Sequence, residues 1–275
     1  MSLYVASLNS GSNGNCYYIS NDEEAILIDA GISCRETERR MRRLGLSMSK
    51  VRAIFITHEH TDHIHGIPSL VKKYRIPIYI TAKTLIKSQL KNIEAYPFQA
   101  YEPLTIGNLT VRAFPIQHDA YDPHNFIISN AAVNVGVFTD IGSITEHIIQ
   151  NFKQCHAAFL ESNYDEELLE TGRYPRALIN RIKGGFGHLS NVQAAKLFTN
   201  HRPDFMSHLF LGHLSRNNNT THIVQKLFDG ISGNTETIVA SRYRETKLYK
   251  IQSTGENISS STYRGIVAPV QLKLF

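Results

Sequence analysis

Residues 53–66 read AIFITHEHTDHIHG: a short apolar run, then four histidines, His58, His60, His63 and His65, with Glu59 and Asp62 among them. A buried strand of this composition delivers the residues that follow it to a sheet edge. A histidine placed there has no packing role. The segment from His58 to His63 offers three imidazoles and one carboxylate. They cannot all reach one ion without strain, but they can serve two ions lying close together. Every donor is nitrogen or oxygen, a set that suits zinc, manganese or iron. Two such ions clamp the attacking and leaving oxygens of a displacement and lower the pKa of a bound water to about 7.

The rest of the chain reads as short β-runs alternating with amphipathic helices. YVASL and CYYIS are strands flanking the turn NSGSNGN, and AILIDAG is a buried strand ending at Asp29. SCRETERRMRRLG is a helix with Ser33 as N-cap, Glu36 three residues on, and Gly45 at its close. LTIGNLTVRAFPIQH is a hairpin turning at Gly107-Asn108, and its second strand runs towards His118. Further strands, including IPIYIT, are expected, and three of them end at Asp140, Glu161 and His213. Helices are expected at IPSLVKKY, TAKTLIKSQLK, SNVQAAKLFTNH and NNTTHIVQKLFDG, the third with Ser190 and Gln193 as a capping box. A late strand, TKLYKIQ, precedes the polar STGENISSSTYRG, so the chain divides into a domain of residues 1–252 and a tail of 253–275. Strands first and helices after, in both halves, suit an α/β (α+β) domain: two mixed β-sheets face to face with helices outside.

With 275 residues, 42% hydrophobic and 19% charged, the chain is a globular one rather than a disordered one. Cys16, Cys34 and Cys155 are widely spaced, and no CxxC pair occurs. Reduced thiols are expected, not a disulfide framework or a structural zinc site. The first residues have no secretory pattern and no apolar run nears the ~20 residues of a membrane span, so the cytoplasm is the expected compartment. A net charge of +5 permits an anionic partner. The basic clusters at 35–43 and 71–75, with Arg173, Arg176, Arg181 and Lys183, would neutralise phosphates if they stand on the rim.

THEHTDH resembles the signature of the metallo-β-lactamase fold superfamily, an αββα sandwich with a hydrolytic dinuclear site. The other markers occur in order: Asp29, His118, Asp140 in FTDIG and His213 in LGHLS. The resemblance runs from about residue 3 to 250. It implies that His58, His60 and His118 hold one metal, that Asp62, His63 and His213 hold the second, and that Asp140 bridges. Asp29 would orient a ligand from behind. The pattern does not require His65, which reads as a bystander. Glu59 is expected to face solvent or a backbone donor; for His124, in YDPHNF, a place in the pocket is the lesser reading and an ordinary structural role the favoured one. His60 in place of Glu fits poorly with the oxygen-reducing flavo-diiron branch. The lack of cysteine among the ligands fits poorly with the antibiotic-hydrolysing branch that uses one.

LNSGSNGNCYYI and the paired segments GHLSN and GHLSRNNN resemble the YycJ/WalJ group of this superfamily. That group is related to ribonucleases Z and J and is regarded as 5′-end exonucleases of double-stranded DNA. In ribonuclease Z a histidine held by an acidic residue protonates the leaving oxygen, and Glu161 with His188 resembles that pair. A neighbouring carboxylate raises an imidazole pKa and keeps it protonated. Asp140 and His213 are only 73 positions apart, which leaves no room for the large inserted domain of ribonuclease J. The implied function is a dinuclear metal-dependent phosphodiesterase, a 5′-to-3′ exonuclease on double-stranded DNA using metal-activated hydroxide, with Asp62, Glu161 and His188 catalytic. The alternative is a small-molecule metallohydrolase, a thioesterase or lactonase, on the same fold. The final QLKLF resembles the pentapeptide by which bacterial DNA enzymes dock on the replication sliding clamp. Gln271, Leu272, Leu274 and Phe275 would make that contact; the other reading is a terminal strand packing on its own sheet.

Overall fold

Strands buried on both faces read as near-continuous apolar runs, and each face must be covered by a different layer. The structure, a computed structural model, describes residues 2–253 apart from Lys91. The first half runs β1 (Ser2–Asn9), β2 (Cys16–Ser20), β3 (Ala25–Ile28), β4 (Val51–Phe55), β5 (Ile78–Tyr79) and β6 (Ala95–Tyr96). The second runs β7 (Pro103–Ile106), β8 (Leu109–Pro115), β9 (His124–Asn130), β10 (Val133–Phe138), β11 (Ala157–Glu161), β12 (His208–Gly212) and β13 (Glu236–Val239). A last strand, β14 (Tyr249–Gln252), returns to pair with β1. Helices α1 (Cys34–Arg43), α2 (Thr61–Ile64), α3 (Ile67–Tyr74) and α4 (Ala82–Lys87) belong to the first half. Helices α5 (Glu146–Phe152), α6 (Glu166–Thr171), α7 (Arg176–Lys183), α8 (Asn191–His201) and α9 (Thr221–Asp229) belong to the second.

Two seven-stranded sheets result, ordered β14-β1-β2-β3-β4-β5-β6 and β7-β8-β9-β10-β11-β12-β13. In each, the first four strands pair antiparallel. Three more then add in parallel, and parallel addition requires the crossovers that carry the helices. Asp29 follows β3 and Asp140 closely follows β10, the corresponding strand of each sheet, where antiparallel pairing gives way to parallel.

Ile26, Ile28, Phe55, Phe126, Val135, Val137, Phe159 and Phe210 fill the space between the sheets. Their strand neighbours face outward. Leu27 and Ile54 pack with Met41 of α1 and Leu70 of α3. Ala158, Leu160, Leu209 and Leu211 pack with Phe152, Phe198 and Phe228 of α5, α8 and α9. The architecture is the expected αββα sandwich. Each fully buried aromatic or aliphatic side chain contributes about 1.5–3 kcal/mol.

Local signals held where a side chain caps or a turn demands glycine. Ser33 Oγ accepts the Glu36 N–H at 3.3 Å, but the Glu36 carboxylate turns to Arg39 and Arg40, so that box is half formed. Ser190 and Gln193 form both bonds of theirs. Gly107, at φ 59°, makes the β7–β8 turn. Other elements differ from expectation. The helix expected over TAKTLIKSQLK ends at Lys87, because Ser88 turns extended. IPIYIT contributes only Ile78–Tyr79 as strand. Helices α5 and α6, of seven and six residues, are too short to show a helical period in sequence. The 252/253 boundary falls at the end of β14. Gln271, Leu272, Leu274 and Phe275 lie outside the described residues.

Candidate metal centre

The strand ends are bent sharply where the site begins. Asp29, Asp140 and His213, directly or closely after β3, β10 and β12, have φ of 58°, 56° and 55°. This left-handed conformation costs a non-glycine residue on the order of 1–3 kcal/mol. Here it follows three polar strand ends that meet at one edge. A backbone lattice ties the first of them to the histidine run: Asn15 N–H donates to Asp62 O (2.7 Å), Gly31 N–H to Asn15 O (2.8 Å), Ala30 N–H to His63 O (2.9 Å) and Gly66 N–H to Ala30 O (2.8 Å). A Cβ on Gly31 would overlap the Asp62 carbonyl oxygen, and one on Gly66 would overlap that of Ile32. Only glycine allows such an approach, which explains the residue that ends the histidine run.

Nitrogens and carboxylate oxygens converge in three overlapping groups: His58, His60 and His118; His58, His63 and Asp140; and Asp140, Glu161, His188 and His213. His60 Nδ1 lies 3.0 Å from His58 Nε2 and 3.4 Å from His118 Nε2. His63 Nε2 lies 3.2 Å from Asp140 Oδ2, and His213 Nδ1 lies 3.0 Å from the same oxygen. Asp62 stands at the edge of these groups, its Oδ2 3.7 Å from His63 Nε2 and 3.8 Å from His213 Nε2. Its side chain is 24% exposed, against 2% for Asp140.

A surrounding set of contacts decides which nitrogen of each ring is presented. Asp29 is fully buried; its Oδ2 accepts from His63 Nδ1 (2.7 Å) and Thr57 Oγ1 (2.8 Å), and its Oδ1 from Thr57 N–H (2.9 Å). The Thr57 oxygen accepts from His58 Nδ1 at 2.9 Å. The Gly187 carbonyl accepts from His118 Nδ1 at 3.0 Å. With Nδ1 committed, His58, His63 and His118 each turn Nε2 towards a shared space, where a cation would take its lone pair in place of a proton. Thr139 Oγ1 donates to Asp140 Oδ2 at 2.6 Å, and Asn15 Nδ2 lies 3.0 Å from His63 Nε2.

Charge in this cluster is concentrated and buried. Burial and the nearby His63 ring hold the His58 imidazole well below its ordinary range. Burial alone would do the same to His63, but Asp140, Asp29 and Asp62 drive that ring well above it. Against the effect of burial, His213 and His63 hold the Asp140 carboxyl well below the usual carboxylate range. Converging imidazole lone pairs beside buried carboxylates fit divalent cations, and no thiolate biases the donor set.

Glu161 and His188 meet at this edge from β11 and the loop before α8. His188 Nδ1 lies 2.6 Å from Glu161 Oε1. Glu161 Oε2 accepts the N–H groups of Ile141 (2.8 Å) and Leu189 (3.3 Å). Burial opposes protonation of His188, yet the Glu161 carboxylate pushes its pKa up to about 9. The His188 side chain is 22% exposed and Glu161 is closed off, so the pair stands on the rim.

The other histidines of the sequence reading separate from this site. His65 is exposed. His124 is buried at the start of β9, with Nδ1 on the Asp122 carbonyl and its ring edge on Phe98. Its own N–H supports the Thr57 carbonyl. Glu59 Oε1 accepts the Tyr121 N–H at 2.8 Å. Part of each basic cluster is paired with carboxylates. Arg39 and Arg40 pair with Glu36, Lys73 with Glu38, Arg176 and Lys183 with Glu170, and Arg181 with Asp119. Sequence reasoning passed over Asn15, Thr57 and Thr139. The one local sign was the repeated threonine before a polar strand-end residue, in ITH and FTD.

Among the described residues no helix is long and apolar enough to cross a membrane. Residues 24–211 match the family described as a beta-lactamase superfamily domain. The chain is 34% identical over 230 residues to the Bacillus anthracis protein named exodeoxyribonuclease YycJ, covering 82% of this chain and 87% of that one. It is 29% identical over 219 residues to exodeoxyribonuclease WalJ of Streptococcus pneumoniae, covering 77% and 81%. The solved metallo-β-lactamase fold protein YhfI from Bacillus subtilis superposes with a TM-score of 0.72 at 16% identity, over 91% of this chain and all of that one. That last likeness shows the fold. A matched family domain over most of the chain, seven-stranded sheets in a sandwich and near full-length relatives agree: the chain belongs to the beta-lactamase superfamily, as a metallo-β-lactamase fold hydrolase of the YycJ/WalJ group.

Proposed function

We propose that this hydrolase is a phosphodiesterase that uses two divalent cations to remove nucleotides from double-stranded DNA in the 5′-to-3′ direction, in the cytoplasm. The observation that carries the reading is the Glu161–His188 pair, an acid-held imidazole on the rim of a cluster whose donors fit two cations. In this reading His58, His60 and His118 would hold one cation, Asp62, His63 and His213 would hold the other, and Asp140 would serve both. Zinc and manganese suit the donors, and iron is compatible. Cations held there supply Lewis acidity towards phosphate and a water acidic enough to attack at neutral pH.

The chain's own residues orient and protonate. Asp29 and Thr57 fix the His63 ring. Asp62, the more exposed carboxylate, positions the attacking water. His188 keeps a proton at neutral pH and delivers it from Nε2 to the departing sugar oxygen. An exposed ring beside His118 suits a nucleic acid: Phe186 is 61% exposed, its carbonyl accepts the Asp119 N–H, and the carbonyl of Gly187, next in sequence, holds the His118 ring. The names of YycJ and WalJ support DNA as the substrate.

Duplex DNA labelled at a 5′-phosphate or 5′-hydroxyl end, incubated with zinc or manganese, tests this reading. Labelled mononucleotides are expected first, and Asp62→Ala should be slower by at least about 10²-fold. Release from the 3′ end first, or equal cleavage by Asp62→Ala, would contradict it. The same reading gives the tail a role: Gln271, Leu272, Leu274 and Phe275 docking on the replication sliding clamp. Deleting 271–275 should abolish clamp binding and leave hydrolysis of short duplexes intact; unchanged clamp affinity would end the idea.

A further inference from the structure

The basic residues that stand out in the sequence are mostly paired with acids, which leaves open what grips the substrate beside the metal centre. Two arginines outside those clusters take a different position. Arg242 and Arg216 make no ion pair among the described residues. Arg242 Nη2 donates to Ser12 Oγ (3.1 Å) and to the Leu214 carbonyl (3.0 Å). Its own carbonyl accepts from Asn13 Nδ2 (3.0 Å). It is therefore tied to the two loops that carry Asn15 and His213. Gly11 makes room for it: at φ 144°, a Cβ there would stand 2.8 Å from Arg242 Nη2.

These residues border an open pocket of about 210 Å³, lined by Ser10, Ser215, Arg216, Thr221, Arg242 and Tyr243 among others. The volume is below the ~300 Å³ at which pockets take whole small molecules, so it suits one group of a larger ligand. Its inner wall reaches the metal centre, because Ser10 Oγ accepts the His213 N–H at 2.8 Å. One wall is the first turn of α9, where Thr220 is the N-cap; helix N-termini favour anions. Burial, with the like charge of Arg216 nearby, weakens the hold of the Arg242 guanidinium on its proton. Two unpaired cations held together beside a helix N-terminus call for an anion. At the mouth, Tyr243 is 72% exposed, with a ring face free to stack a base.

We infer that Arg216, Arg242 and the first turn of α9 form a phosphate subsite for the substrate backbone on the His213 side of the metal centre, with Tyr243 as a base platform beside it. The inference rests on the proposed nuclease reading and deepens it by naming where the strand is held. Bidentate guanidinium contacts fix the backbone without reading sequence. The subsite sets the register of the scissile bond relative to the metals.

Initial rates on 5′-phosphorylated duplex DNA, measured across a salt series with the metal-loaded full chain, test it. For Arg216→Ala, kcat/KM at low salt should fall about tenfold, mostly through KM. The slope of log kcat/KM against log salt should become shallower by about 1. Arg216→Lys should restore most of the slope, and Tyr243→Ala should raise KM with the slope unchanged. Arg216 is exposed, so these changes do not depend on the brace made by Arg242. Equal slopes and KM in wild type and Arg216→Ala, with the wild type degrading DNA, would overturn the subsite alone. A metal-loaded wild type that degrades no DNA would overturn the nuclease reading itself.

Discussion

Hydrolysis of duplex DNA is expected to fall by about 10³-fold in Asp140→Ala, since metal Lewis acidity supplies several kcal/mol at the transition state and ~1.4 kcal/mol is tenfold. No other carboxylate of the site faces so many of its histidines. Asp140 Oδ2 is 3.2 Å from His63 and 3.0 Å from His213, and Oδ1 is 3.8 Å from both His118 and His188. Its removal takes away the only carboxylate shared by two of the three ligand groups, so bound metal should drop below two ions per chain. It also leaves His63 and His188 with less counter-charge in a buried place, where breaking a pair costs about 3–5 kcal/mol. The melting temperature must therefore be measured beside kcat and metal content, and Asp140→Asn, which keeps the shape, separates folding from chemistry. A folded Asp140→Asn with the wild-type rate would remove the bridging role.

His188→Ala is expected to lower kcat on DNA by about 10²–10³-fold, the range of a general acid, while two ions stay bound. The distinction matters because His188 and Glu161 also fall in a group able to hold a metal with Asp140 and His213. If the imidazole is a proton donor, the defect should shrink on a nitrophenyl phosphodiester, whose leaving group departs without protonation. If His188 is instead a ligand, the variant would lose metal and be equally slow on both substrates. Glu161→Gln should behave as a weaker form of the same defect, because it removes the charge that holds the proton on His188.

The sandwich was legible because its signals are local. AILIDAG and AIFIT show buried strands directly, Ser33 and Ser190 show helix starts, and Gly107-Asn108 shows a turn. Short helices such as α6 left no trace, as six residues cannot display a period and tertiary packing decides them. The strand-end residues were legible too: a polar side chain directly after an apolar run has little else to do. The residues that aim them were not. Asn15 reaches His63 across 48 positions and Arg242 reaches Ser12 across 230. Neither looks unlike an ordinary turn or surface residue in sequence. The left-handed backbone at Asp29, Asp140 and His213 likewise has no sign in the sequence. Charge runs were legible as runs but not as pairs, since Arg39, Arg40 and Lys73 find carboxylates within their own layer.

The proposal of a dinuclear, DNA-degrading centre is tested most directly by titrating chelator-stripped protein with zinc or manganese while bound metal and the rate of 5′-phosphorylated duplex hydrolysis are read together. The expected result is an activity that is absent in the stripped chain and rises to its maximum as the second equivalent binds. Saturation at one ion per chain with full activity, or hydrolysis that persists in the stripped protein, would contradict the account.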